Sequence, residues 1–269
     1  MFTYLNQILS TYFLTVTLVL FCSNKLSATD EIEKQTKEIF GNIAENKFTY
    51  HEPTYFIFGE DDLKLQFSGK YRIAKSLNLY FGYTQIMFWS IYTTSQPFTD
   101  INYHPEIFYR FVDNEMKFLK SLDFGFIHSS NGKDGLDSRS LNRVFLKTNW
   151  ATKISRHSLV GDFNFYSIVS DEKNNRDIKN YMGFWDFTLT LTHLLTHGKD
   201  RLDFEVRTFA GKKVFNINKG GKSFGLIYHI DSENFNPEVY LQYYTGYGES
   251  LLRYNKTSDQ VRLGLMIFI

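Results

Sequence analysis

Cysteine is nearly absent from this chain: of 269 residues one, Cys22, is a cysteine. It falls near the amino terminus, so the rest of the chain can form no disulfide and must draw its stability from the fold itself. No excess of charge exists either. Thirty Lys and Arg stand against 29 Asp and Glu, which removes the usual electrostatic argument for a nucleic-acid partner. After residue 21 no apolar run is long enough for a membrane helix. If this protein lives in a membrane, it crosses with strands.

What the chain has in plenty is aromatic: 27 Phe and 18 Tyr, more than one soluble core would use, so many rings are expected at exposed or interfacial positions. Ile8 to Phe21 is an apolar run too short for a comfortable span and is followed by small and polar residues. It reads as an export signal with cleavage near Ala28, although no Lys or Arg precedes it. Cys22 also raises a lipid-anchored reading, against which the bulky Phe21 stands. The expected layout is a signal peptide over 1–28, a periplasmic amino-terminal segment over 29–53, and a transmembrane barrel over 54–269. The middle segment lacks periodicity and is rich in Glu, Lys and Asn, which suits a tail or a short plug.

From residue 54 onward the sequence alternates with period two between turn-rich pieces. Leu63, Leu65, Phe67, Tyr71 and Ile73 share one parity, and Lys64, Gln66, Lys70 and Arg72 the other. Leu77 to Ile91 repeats the pattern over a length unusual for a soluble strand. Further segments run over 105–112, 117–128, 140–150, 156–169, 181–194, 201–210, 223–230, 237–247 and 259–269. Lipid requires a closed sheet and bacterial barrels carry an even strand count, so with Thr54 to Gly59 the expectation is an all-β, antiparallel transmembrane barrel of about 12 strands. Both termini then lie on the periplasmic side, and the outer loops fall near 92–104, 129–139, 170–180, 211–222 and 247–258. A soluble sandwich or lipocalin-like barrel alternates in the same way. The export signal, the strand lengths and the ring-rich strand ends favour lipid.

Three polar residues break the pattern. Leu122, Phe124 and Phe126 share a parity that continues through His128 and Ser130, and on the next segment Asn142 shares a parity with Val144, Leu146, Thr148 and Trp150. Pairing Leu122 with Thr148, Phe124 with Leu146 and Phe126 with Val144 sets His128 opposite Asn142, with Cβ atoms about 5 Å apart. The imidazole can then reach an amide across the ladder and a hydroxyl beside it. A base held by a third group beside a hydroxyl is the logic of an activated serine: Ser130 the nucleophile, His128 the base, Asn142 the orienting residue. Ser129 and Ser140 are set aside on parity. Ordinary polar residues at a membrane interface would give the same spacing. Gln85 is a fourth departure, sharing its parity with Phe81, Tyr83, Met87 and Trp89. An unpaired amide in an apolar band is costly, and a second barrel could satisfy it.

The stretch HSSNGKDGLDSRSLNR, from His128 to Arg143, resembles the signature of the outer membrane phospholipase A family. So do YTQ at 83–85, SQPF and NYHPEIF between 95 and 108, YMGFW at 181–185 and YTGYGESLLRYN at 244–255. The resemblance implies a twelve-stranded outer-membrane barrel that hydrolyses glycerophospholipid acyl esters at both A1 and A2 positions, and lysophospholipids, with a Ser-His-Asn triad on its exterior. It also implies dependence on Ca2+ and activity as a homodimer. Carried onto this chain it assigns Ser130, His128 and Asn142 to the triad and the Gly132 amide to the oxyanion hole. The metal falls to the Lys133 carbonyl, the Ser138 hydroxyl and the Ser95 carbonyl of a second subunit, and the dimer contact to Gln85. Lys133 stands where the family pattern has arginine, and the chain closes on Phe268-Ile269 instead of a terminal aromatic. The rival expectation is an inactive barrel serving as a channel or as a structural or binding protein.

Overall fold

The computed structural model describes residues 48–74, 77–112, 118–171, 175–197, 200–211, 217–230 and 238–267. The signal peptide, residues 29–47 of the amino-terminal segment, Cys22 and the final Phe-Ile pair lie outside them. Thirteen strands follow in chain order: β1 (Phe48–Thr49), β2 (Thr54–Phe58), β3 (Leu63–Ala74), β4 (Leu79–Trp89), β5 (Phe98–Phe111), β6 (Leu119–Ser130) and β7 (Ser140–Ile154), then β8 (His157–Asp171), β9 (Trp185–His197), β10 (Asp200–Phe209), β11 (Gly221–His229), β12 (Glu238–Gly246) and β13 (Ser258–Ile267). Every neighbour is antiparallel, and β13 pairs with β2 while β3 pairs with both β2 and β4. Strands β2 to β13 therefore close a twelve-stranded barrel, which leaves no sheet edge for lipid to meet.

The two parities separate as the alternation requires. On β6, Phe124 and Phe126 are 54% and 38% exposed while Asp123 and Ser129 are 2% and 0%. The apolar parity faces outward, and the charged parity faces the bore. Inside, Arg110 grips Asp123 through two hydrogen bonds of 2.7 and 2.6 Å, and Arg262 links Asp62 to Glu249. Burial works against a charge on Glu249, but Lys64 and Arg262 outweigh it and hold the carboxyl below its ordinary range. Apolar clusters interleave with these pairs, among them Tyr55, Ile57, Ile227, Tyr240 and Met266.

Of the boundaries that differ from the sequence expectation, two change what the wall and the bore contain. Residues 98–104, expected in an outer loop, belong to β5. Their inward side chains, Asp100 and Asn102, are polar and fully buried, so the composition reads as loop while the backbone is ladder. Expected to begin at residue 54, the barrel wall also includes Phe48–Thr49, which pair with Tyr71 and Lys70 of β3. Between β1 and β2 the chain leaves the wall and enters the bore. There His51 pairs with Glu106 of β5 and stacks on Phe108, Glu52 accepts from Lys147 of β7 at 3.0 Å, and the Pro53 carbonyl accepts from Gln66 of β3 at 2.7 Å. His51, Glu52 and Pro53 line a cavity of about 290 Å³ in the bore.

Leu146 sits midway along β7 with its side chain on the lipid face. Leu146→Arg should cost about 2–4 kcal/mol in urea unfolding of the bilayer-embedded barrel. An unchanged unfolding free energy would mean the face is not in hydrocarbon.

Candidate active site

The hairpin of β6 and β7 carries the candidate residues, and its register agrees with the one deduced from the apolar parities: Leu122↔Thr148, Phe124↔Leu146, Phe126↔Val144 and His128↔Asn142. His128, Ser130 and Asn142 thus follow the outward-facing set on the barrel wall. The His128 Nδ1 lies 2.7 Å from Asn142 Oδ1. For that contact to be a hydrogen bond the ring nitrogen must donate, so Nδ1 carries the proton and Nε2 keeps its lone pair. Among the described residues no hydrogen bond yet joins Ser130 to His128. The two are i and i+2 on one strand, and catalytic contacts of this kind often close only when substrate arrives.

A residue that the sequence reading missed completes the row. Asn142 donates from Nδ2 to Ser170 Oγ at 2.8 Å, which fixes the amide so that its oxygen points at the imidazole. Ser170 should face the bore, since Phe165 and Val169 of the opposite parity face outward. The register explains the reversal: Asn142 pairs with Ser170 and Arg143 with Ile168, leaving Val169 as the extra residue of a β-bulge. One inserted residue turns the next side chain to the other face, and bulges of this kind recur beside active sites.

Of the two serines set aside on parity, one exclusion stands and one needs a different reason. Ser129 faces the bore, where its hydroxyl meets His104 Nδ1 at 2.9 Å. Ser140 pairs directly with Ser130 and so shares its face. It is separated by burial and by its diagonal position relative to His128.

The loop after Ser130 carries as its second residue Gly132 at φ +65°, a left-handed conformation that disfavours side chains. A Cβ there would stand 3.0 Å from the Tyr103 ring, and Tyr103 is the cross-strand neighbour of Ser130 on β5. Lys133 sends its ammonium to the Thr99 carbonyl at 2.9 Å. Ser138 follows a short 3₁₀ turn over Gly135–Asp137 and donates its amide to the Gly135 carbonyl at 3.3 Å. Ser95 is exposed in the adjoining loop between β4 and β5. Gln85 lies on the outer wall in the same lateral row as Tyr103 and Ser130. Its amide already has partners within its own strand: Tyr83 donates to Oε1 at 2.7 Å, and Nε2 approaches the Met87 sulfur at 3.2 Å. A thioether is a weak acceptor, so the Nε2 end of this amide is only weakly satisfied within its own strand.

A protein-family model described as phospholipase A1 matches residues 12–267. Phospholipase A1 of Escherichia coli strain K12 is 29% identical over 224 residues, covering 77% of this chain and 70% of that protein. Among solved structures, outer membrane phospholipase A from Escherichia coli aligns with a TM-score of 0.65 at 25% identity, covering 81% of this chain and 93% of that one. A calcium-bound dimer of the Salmonella typhi outer membrane phospholipase aligns with a TM-score of 0.65 at 24% identity, covering 84% and 94%.

The His128–Asn142 contact makes a spectroscopic prediction. In 15N-histidine NMR of the detergent-solubilised protein, neutral His128 should carry its proton on Nδ1. Asn142→Ala should shift the population toward the Nε2–H form. A wild-type ring already protonated at Nε2 would contradict the geometry.

Proposed function

Because the chain belongs to the phospholipase A1 family and is an outer-membrane phospholipase, we propose that it cleaves glycerophospholipid acyl esters with Ser130, His128 and Asn142 on the barrel exterior. The observation that carries this reading is the 2.7 Å contact between His128 and Asn142 on the outward face beside Ser130. A related solved structure from Escherichia coli is an active-site mutant in which an asparagine is replaced by alanine, which supports an asparagine in the role proposed for Asn142.

Ser130 Oγ attacks the ester carbonyl carbon while His128 Nε2 takes the hydroxyl proton. Asn142, itself held by Ser170, keeps Nδ1 engaged and so aims Nε2 at the serine. The oxyanion accepts from the Gly132 amide. Collapse of the tetrahedral intermediate breaks the ester C–O bond, and His128 returns the proton to the departing lysophospholipid alcohol. Water, deprotonated by the same imidazole, then releases the fatty acid and restores Ser130. The site sits on the wall, so a substrate acyl chain need not leave the bilayer to be cut. Activity toward both acyl positions and toward lysophospholipid belongs to the same proposal.

Calcium is assigned to the Lys133 carbonyl, the Ser138 hydroxyl and the Ser95 carbonyl of a second copy. The donors are hard, neutral oxygens of the kind this ion takes together with water. The Lys133 side chain, the departure most adverse to a cation, is fastened to Thr99, and Asp134 and Asp137 stand exposed on the same loop, so the residues present fit the ion. When bound there it would supply positive charge near the developing oxyanion. The Salmonella typhi relative is a calcium-bound dimer, and Gln85 shares a lateral row with Ser130, which supports a homodimer meeting along this face.

In mixed detergent–phospholipid micelles with calcium, Ser130→Ala should lower ester cleavage about 10⁴-fold or more, and chelation should abolish wild-type activity. Full activity in the variant would reject the triad, and activity indifferent to chelator would reject the metal. Chemical crosslinking of Gln85→Leu under activating conditions should give less dimer than wild type, and an equal yield would remove Gln85 from the interface.

A further inference from the structure

The motif YTGYGESLLRYN is not used by the chemistry above, yet its loop reaches the same site from inside the barrel. Glu249 is anchored by Lys64 and Arg262. The Leu251 amide donates to Asn102 Oδ1 at 3.0 Å, and the Leu252 amide to Asp100 Oδ2 at 2.9 Å. Asp100 is 2% exposed, and among the described residues its hydrogen bonds come from amides. Besides Leu252, Asn102 donates to Oδ2 at 2.6 Å and Asn131 to Oδ1 at 3.5 Å.

Asn131, 4% exposed, directly follows Ser130 and precedes Gly132. Its side chain knits the loop that these residues begin. Oδ1 accepts from the Arg139 amide at 2.9 Å and the Lys133 amide at 3.4 Å, while Nδ2 donates to the Asp137 carbonyl at 2.9 Å. Its backbone amide also donates to the Arg139 carbonyl at 3.1 Å. One buried carboxamide therefore holds the start, the middle and the end of a loop whose first peptide carries the Gly132 N–H.

We infer that Asn131 is the positioning residue for the oxyanion amide, and that Asp100 steadies it by tying it to the inward-folded loop over 247–257. This rests on the Ser130 reading above. Without the carboxamide, the Lys133 and Arg139 amides and the Asp137 carbonyl lose a common partner, and the peptide at Gly132 is no longer confined to the left-handed conformation that presents its N–H. The loss falls on the transition state, where the oxyanion exists, and spares ground-state lipid binding.

The test compares Asn131→Ala, Asn131→Asp, the swap D100N/N131D and Ser130→Ala. Rates are expressed per barrel that keeps its compact, heat-modifiable mobility in detergent gels, so that misfolded material is not counted. Asn131→Ala should lower kcat about 10²–10³-fold while KM stays within about twofold. Asn131→Asp sets two carboxylates against each other, and the swap restores an amide facing a carboxylate, so the double variant should regain about tenfold or more over Asn131→Asp. Wild-type kcat in Asn131→Ala, or a loss confined to KM, overturns the positioning role. Absence of rescue in the swap overturns the part assigned to Asp100. Active Ser130→Ala would instead take away the site itself, whereas inactive Ser130→Ala beside fully active Asn131→Ala would take away this inference alone.

Discussion

A peptide group in hydrocarbon has no water to bond, and that constraint shapes everything else in this molecule. It forces the sheet to close, closure gives each strand an outer and an inner face, and the two-residue repeat then assigns every side chain to one of them. Polar residues on the outer face are costly unless they bond to one another. His128, Asn142 and Ser170 do so as a lateral chain across β6, β7 and β8. The wall tolerates them because they form a connected network near the strand ends.

Much of this was legible in the sequence because the constraint is severe. A register slip of one residue would turn either Phe124 and Phe126 or Val144 and Leu146 into the bore, so the apolar parities exclude every odd slip of the pairing that brings His128 to Asn142. What escaped did so for separate physical reasons. Ser170 is hidden by a bulge, which breaks the repeat that the reading depends on. Residues 98–104 are hidden because lumen-facing positions can be wholly polar, and polar composition between apolar runs resembles a loop. Asn131 is hidden because its role lies in buried hydrogen bonds to backbone, which leave no periodic trace.

The candidate site is also two-sided. Outside stand the groups proposed to meet lipid, and behind them stand Ser129 of β6 on His104 and Asn131, the first residue after the strand, on Asp100. From His128 to Asn131, successive residues thus alternate between the proposed chemistry and its support. The buried polar groups of the bore are more than filler for a cavity that closure creates. They give the exterior a rigid backing that lipid cannot provide.

The excursion of Tyr50 to Pro53 into the bore bears on the cell as well as on the protein. A reaction proposed for the outside of a cylinder asks nothing of its middle, which leaves the bore free to take up His51, Glu52 and Pro53. The proposed chemistry therefore needs no wide channel through the outer membrane.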